Sequence, residues 1–252
     1  MSVDCDKETL LVSDDKAFYT LEGEGEFVGM PSVFFRMSMC NLTCKGFASE
    51  DSPHGCDSFV SWSIKNKMTF NEIFEYFEEH KLVDKLREGA IFKLTGGEPM
   101  VQQKQLLKFM GEFINKYDFH PLIDFETNAT IKPDEKWIEY YRATFTTSPK
   151  LTTNGDPEKR TYKPEVLKWH KDVGSGFKFV INASEDIDEI WRKYVEDGDI
   201  NLPKNRIWFM PCSGSRAEHI KNAPAVAEYA KAMNVNFSPR LHLLLWDMAL
   251  KV

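Results

Sequence analysis

Ala90-Ile91-Phe92-Lys93-Leu94-Thr95-Gly96-Gly97-Glu98-Pro99 reads as a short buried strand (90–95) that ends in a glycine turn, with Pro99 suited to the first position of a helix. Five more apolar, β-rich runs, 32–39, 121–126, 143–147, 176–181 and 206–210, alternate with helical patterns. Thr69-Phe70-Asn71-Glu72 has the form of a capping box, opening a helix with Phe70, Ile73, Phe74 and Phe77 on one face. Further helices are predicted around Leu106, Leu107, Met110, Phe113 and Ile114, over 187–195 and over 217–233. Repetition of strand, helix and strand predicts a parallel sheet with right-handed crossovers. Six such units suit either an open Rossmann-like sheet or a partial barrel. The polar motifs favour the barrel: Cys40, Thr95-Gly96-Gly97-Glu98, Glu126-Thr127-Asn128, Ser148-Pro149-Lys150 and Met210-Pro211 all fall at carboxyl ends of runs. So many strand ends at one mouth predict a partial (βα)6, TIM-like α/β barrel.

The 252 residues fit one domain spanning 1–252, and 42% hydrophobic with 28% charged residues supports a sizeable core. A formal charge of −7 argues against a nucleic-acid partner, which would draw on clustered Lys and Arg, and points to a small substrate. The expectation is a cytoplasmic chain with neither membrane span nor secretory signal: no run of about 18 apolar residues occurs, and residues 1–6 are acidic and polar. In a reducing compartment, three clustered cysteines among five suggest metal or redox chemistry. Cys5 and Cys212 stand apart.

Cys40, Cys44 and Cys56 are spaced Cys-x3-Cys-x11-Cys, followed by Asp57 and Ser58. Three soft thiolates can hold three irons of a four-iron cluster and leave the fourth open, as cluster-bound S-adenosylmethionine requires. The same residues with His54 as fourth ligand also suit zinc. The glycine turn favours the cluster, because its strand-end carbonyls and the Glu98 carboxylate can accept hydrogen bonds from a cationic amine. Alternation along 32–39 places Phe34, Arg36, Ser38 and Cys40 on one face, with Arg36 about 13 Å below Cys40 at about 3.3 Å per residue. An Arg there suits a substrate carboxylate, or else an internal salt bridge to Glu22 or Glu126. Leu21-Glu22-Gly23-Glu24-Gly25 lacks the strand-then-helix context of a dinucleotide site and reads either as an acidic turn or as a loop closing over a ligand. His242, in an apolar tail, reads as a packing residue.

The ordered set Phe18-Tyr19-Thr20-Leu21-Glu22-Gly23-Glu24-Gly25, Phe35-Arg36, Cys40-Asn41-Leu42-Thr43-Cys44, Cys56-Asp57-Ser58, 94–99, Glu126-Thr127-Asn128, Ser148-Pro149-Lys150, Lys178-Phe179-Val180, Met210-Pro211 and Leu241-His242 resembles the 7-carboxy-7-deazaguanine synthase family of the radical S-adenosylmethionine superfamily. The resemblance implies a lyase that converts 6-carboxy-5,6,7,8-tetrahydropterin to 7-carboxy-7-deazaguanine and ammonia for queuosine-type 7-deazapurine synthesis, through a 5′-deoxyadenosyl radical. It implies a 4Fe-4S cluster on Cys40, Cys44 and Cys56, S-adenosylmethionine at Gly97, Glu98, Ser148, Pro149, Lys150, Met210, Pro211, Cys212 and Ser213, and Mg²⁺ at Ser58. Leu21, Glu22, Gly23, Arg36, Thr95 and His242 match the substrate set. A homodimer and an electron donor such as flavodoxin are also implied. Four positions depart from the family pattern: residues 45–55 lengthen the gap to the third cysteine, Glu22 replaces Gln, Ser58 replaces Thr, and Cys212 interrupts the last cofactor segment. A glycyl-radical activase shares the cysteine and glycine motifs, and a zinc-stabilised binding protein is the non-enzymatic alternative.

Overall fold

The computed structural model describes residues 3–48, 50, 53–196 and 200–249, and one nine-stranded sheet runs through them. Its strands are β1 (Thr9–Leu21), β2 (Pro31–Met37), β3 (Asn66–Thr69), β4 (Ile91–Gly96), β5 (Leu122–Thr127), β6 (Thr144–Thr147), β7 (Gly176–Ile181), β8 (Ile207–Pro211) and β9 (Asn236–Phe237). The helices are α1 (Phe59–Ser63), α2 (Phe70–Glu79), α3 (Leu82–Arg87), α4 (Gln103–Tyr117), α5 (Lys136–Glu139), α6 (Glu158–Thr161), α7 (Pro164–Asp172), α8 (Glu185–Ile190), α9 (Arg216–Met233) and α10 (Leu241–Trp246).

The strand order is β3-β1-β2-β4-β5-β6-β7-β8-β9, so β3 and β9 are edges and the sheet is not closed. The six expected runs are β2 and β4 to β8, adjacent in chain order and parallel throughout. Three strands were not expected. β1 pairs antiparallel with β2 and β3, and β9 extends the parallel run. The loop from Leu21 to Gly25 therefore follows a strand and joins β1 to β2, where the sequence placed it ahead of the first strand. β1 is hidden in the sequence because Asp14-Asp15-Lys16 interrupts its apolar residues. The register shifts between Val12 and Ala17, and Lys16 takes φ 52°, so the charged triplet is absorbed as a bulge.

Register gives the sheet two unlike faces. Phe35 pairs with Leu94 and Leu94 with Phe125, then Phe125 with Phe145, while Phe177 meets Ile207 and Phe179 meets Phe209. Helices cover this apolar face. The Thr69 hydroxyl caps α2 and Glu72 answers to the Thr69 amide at 2.7 Å, so Phe70, Ile73, Phe74 and Phe77 turn inward as the capping box predicts. Phe35 then sits 5.4 Å from Phe77 and 5.5 Å from Phe109 of α4, ring centre to ring centre. A second cluster joins Phe177, Phe179 and Phe209 to Ile187, Ile190 and Tyr194, and to Val226 and Ala230 of α9. Each fully buried Phe contributes about 1.5–3 kcal/mol by leaving water.

The intervening residues make the opposite face, where Phe34 pairs with Lys93, Lys93 with Asp124, Asp124 with Thr144 and Glu126 with Thr146. Lys178 follows on β7, two residues beyond Gly176, which pairs with Thr146. Lys93, Asp124 and Lys178 are all at most 2% exposed. Buried charge on alternate residues of parallel strands is costly unless paired, and this face carries the site.

Candidate active site

β2 stops at Met37, and Met39 takes φ 73°, so strand alternation does not extend to Cys40 as the sequence reading assumed. The chain turns there into a loop that presents three cysteines. Cys44 is itself left-handed at φ 52°, held by Asp156, whose carboxylate accepts the amides of Thr43 (2.9 Å) and Cys44 (2.8 Å). Two glycines, Gly46 and Gly55, flank the longer gap to the third cysteine. A Cβ on Gly46 would lie 2.0 Å from the Thr153 carbonyl, and one on Gly55 would lie 2.4 Å from that of Cys44. Gly55 thus returns the chain to Cys44, and Cys56 follows directly.

Each thiol faces an N–H donor: Leu42 N (3.5 Å) and Asn128 Nδ2 (4.0 Å) at Cys40, Asn154 Nδ2 (3.6 Å) at Cys44, and Trp62 Nε1 (3.4 Å) at Cys56. Such donors orient metal-bound thiolates and tune their charge. Burial pushes the Cys40 thiol up to about 11 and that of Cys56 to about 12, and raises Cys44 as well. The set stays protonated until a soft metal displaces its protons. His54 stacks 4.6 Å from Phe59. Three soft thiolates suit a four-iron cluster, of which they would hold three irons.

The glycine turn lies directly on this loop. Gly96 has φ 119°, and a Cβ there would meet the Met37 backbone at 2.1 Å; one on Gly97 would meet the Met39 carbonyl at 2.0 Å. Gly97 N donates to Met37 O and Glu98 N to Met39 O, both at 2.9 Å. Only a residue without a side chain lets these two strand ends touch. Glu98 differs from expectation: it is fully buried, and its carboxylate already accepts Thr127 Oγ1 (2.7 Å), Asn128 N (2.7 Å) and Met100 N (3.0 Å). Burial raises its pKa despite these donors. It braces the Thr127-Asn128 turn, which in turn reaches Asn41 through Asn128 Nδ2 at 2.9 Å.

Below the mouth, charged side chains form two linked groups. Lys93 Nζ bridges Glu22 (2.5 Å) and Asp124 (2.6 Å). Lys178 bridges Glu24 and Glu126, and Arg240 joins Glu24 (2.8 Å) to Asp57. Burial opposes charge on Lys93 and Lys178, but their carboxylates win and raise both. Burial likewise opposes charge on Glu24, yet Lys178 and Arg240 hold it well below the usual carboxylate range. Burial dominates at Glu22 and raises it.

Arg36 does not pair with Glu22 or Glu126, the alternative to a substrate clamp, because both are taken by the lysines. Its Nε lies 3.6 Å from Asp15, and its guanidinium stands 5.5 Å and 5.7 Å from the rings of Phe18 and Phe34. It makes no hydrogen bond to the described residues, and Asp15 is its ionic partner among them. Thr95 Oγ1 reaches Glu126 at 3.3 Å. His242 packs on the β1–β2 loop, where a Cβ on Gly23 would fall 2.2 Å from its Nδ1, and Leu241 N donates to Gly23 O at 2.8 Å. Ser148 accepts from Lys150 Nζ at 2.7 Å, and Ser213 is buried with its hydroxyl 3.3 Å from His219 Nδ1. Ser58 donates to Asp57 Oδ1 at 3.2 Å. Sequence reasoning assigned no role to Lys93, Asp124, Lys178 or Arg240. A charge inside an apolar parallel-strand run, as in Ile91-Phe92-Lys93-Leu94, is the signal that finds the first three.

Residues 21–136 match the family described as a 4Fe-4S single cluster domain. A 7-carboxy-7-deazaguanine synthase of Methanopyrus kandleri is 30% identical over 252 residues, covering 91% of either chain. This chain belongs to the 7-carboxy-7-deazaguanine synthase family. A synthase of the same name from Hyperthermus butylicus is 26% identical over 235 residues, covering 91% of this chain and 90% of the relative. The crystal structure of QueE from Escherichia coli shares the fold at 19% identity and a TM-score of 0.59, covering 94% of this chain and 96% of that one.

Proposed function

We infer that this chain is a radical S-adenosylmethionine lyase converting 6-carboxy-5,6,7,8-tetrahydropterin to 7-carboxy-7-deazaguanine and ammonia, in the biosynthesis of queuosine-type 7-deazapurines. The observation that carries the reading is the seating of Gly97 on Met39 and Cys40, which puts the cofactor turn against the first cluster ligand. Cys40, Cys44 and Cys56 would hold three irons of a 4Fe-4S cluster, leaving one open for the sulfonium cofactor, and cluster and cofactor together would supply the radical chemistry.

Around it, the Gly96 and Gly97 backbone receives the cofactor's amine, while Glu98 acts from below by fixing the turn. Ser148, Pro149 and Lys150 and the segment Met210, Pro211, Cys212 and Ser213 complete the cofactor site. Lys150 is near enough to favour charge on Cys44. Arg36 grips the pterin carboxylate with its guanidinium, flanked by the Phe18 and Phe34 rings. Leu21, Glu22 and Gly23 form the loop over the pterin ring, closed by His242, and Thr95 stands beneath. Because Glu22 is bound to Lys93, it shapes the loop by accepting Gly23 N (2.9 Å) and Glu24 N (3.1 Å). Ser58 donates its O–H to Asp57 Oδ1 and so keeps its oxygen lone pairs for Mg²⁺. A single domain curved as a partial barrel, a homodimer, a cytoplasmic setting and a donor such as flavodoxin follow from the resemblance.

Anaerobic incubation with the carboxy-tetrahydropterin, S-adenosylmethionine, Mg²⁺ and a strong reductant tests the reading. The deazaguanine acid and ammonia are expected in equal amounts. Cluster-loaded protein that cleaves S-adenosylmethionine yet leaves the pterin unchanged contradicts it.

A further inference from the structure

Arg240 is a 7%-exposed residue whose three guanidinium nitrogens each donate to a different segment. Nε donates to Glu24 of the β1–β2 loop at 2.8 Å, Nη2 donates to Asp57, next to Cys56, and Nη1 donates to the carbonyl of Ser213. The residue stands at the start of α10, so the same contacts fix the tail that lays His242 on Gly23. Glu24 passes the connection to Lys178 and Glu126 on the charged face, and Asp57 passes it to the Ser58 hydroxyl. No other side chain among the described residues joins the substrate loop, the cysteine loop and the last cofactor segment.

We propose that Arg240 is a positioning residue that ties Asp57 of the cysteine loop to Glu24 of the substrate loop and thereby sets the gap in which the pterin acid binds. The inference rests on the pterin reading above. A planar fork suits this task because one guanidinium presents five N–H donors in fixed directions, which an ammonium cannot do. Losing it leaves Glu24 and Asp57 without their shared cation, so the two loops separate while the cysteines keep their own donors.

The test is calorimetric titration of 6-carboxy-5,6,7,8-tetrahydropterin into anaerobic, cluster-loaded, unreduced protein, read beside iron content and thermal midpoint. Arg240→Gln is expected to weaken binding at least tenfold with iron per chain unchanged. Should that variant fail to fold, Asp57→Asn, at a half-exposed side chain, serves in its place and is expected to weaken binding three- to tenfold. In the Arg240→Gln background, Asp57→Asn adds nothing further. A lowered thermal midpoint with pterin affinity within twofold of the parent in either variant overturns the proposal and assigns Arg240 to stability alone. A parent protein that binds no pterin acid overturns the functional reading itself, and that result is distinct from equal binding by parent and variants.

Discussion

Phe35 and Arg36 are consecutive residues of β2 that belong to different chemistries. Phe35 enters an aromatic cluster with Phe77, Phe92 and Phe109, whereas Arg36, paired with Thr95, lies on the sheet's charged side beside Asp15 and the Phe18 and Phe34 rings. The apolar face stabilises the fold through burial of large side chains. The charged face does not: burying an ion costs several kcal/mol, and pairing at best offsets that cost. A face that costs stability and is nonetheless kept closed by ion pairs is a pre-arranged binding surface, and it ends at the cysteine loop.

Breaking the apolar side has the largest expected effect. Phe35→Ala should lower unfolding free energy by about 3–5 kcal/mol, measured by denaturant titration, as expected for a truncated core aromatic. On the other face, Lys93→Ala should cost a similar amount, about 3–5 kcal/mol, because it strands Glu22 and Asp124 without a counter-charge. The difference appears on neutralising the whole group. Lys93→Met with Glu22→Gln and Asp124→Asn should return to within about 2 kcal/mol of the parent, whereas no second substitution of that kind repairs Phe35→Ala. If the triple variant is as unstable as Lys93→Ala, the charged face contributes to folding and the contrast fails.

Much of the architecture was legible because parallel strands buried on both sides form continuous apolar runs, and all six such runs appear as strands. The capping box at Thr69 was equally local. β1 escaped because Asp14-Asp15-Lys16 looks like a turn until the bulge and the pairing to β2 are known. Within the site, the cysteines and the glycine turn were readable from residue type, while the partners of Arg36 were not. Which carboxylate meets which cation depends on register between β2, β4, β5 and β7, and a lone sequence does not carry register. Glu98 went astray for a related reason: its side chain is claimed by Thr127 and Asn128 from another strand end.

A smaller effect concerns pH. Burial lowers His170 to about 3 and also lowers His219 and His242, so all three are neutral when folded at pH values where the unfolded chain binds protons. Their contribution is present above the unfolded value near 6.5 and is lost as pH falls below it, at up to about 1.4 kcal/mol per pH unit for His170. Glu24, held low, has its full contribution above its unfolded value near 4.5 and loses it progressively as pH falls below that, while Glu22 and Glu98, raised by burial, act in the opposite sense. Comparing the parent with His170→Gln isolates the histidine: the parent should lose about 1–2 kcal/mol more between pH 6.5 and 5, by denaturant titration. Parallel profiles would remove His170 from the account.

The two faces are tested most directly by one binding measurement on two neighbouring variants. Carboxy-tetrahydropterin titrated into cluster-loaded, unreduced protein should bind Arg36→Ala about 10–100-fold more weakly than the parent, the loss expected for a charge-assisted fork. Phe35→Ala, assayed where it remains folded, should bind within about twofold, since its ring never reaches the charged side. Equal affinity of Arg36→Ala and the parent would contradict the assignment of the charged face to the substrate.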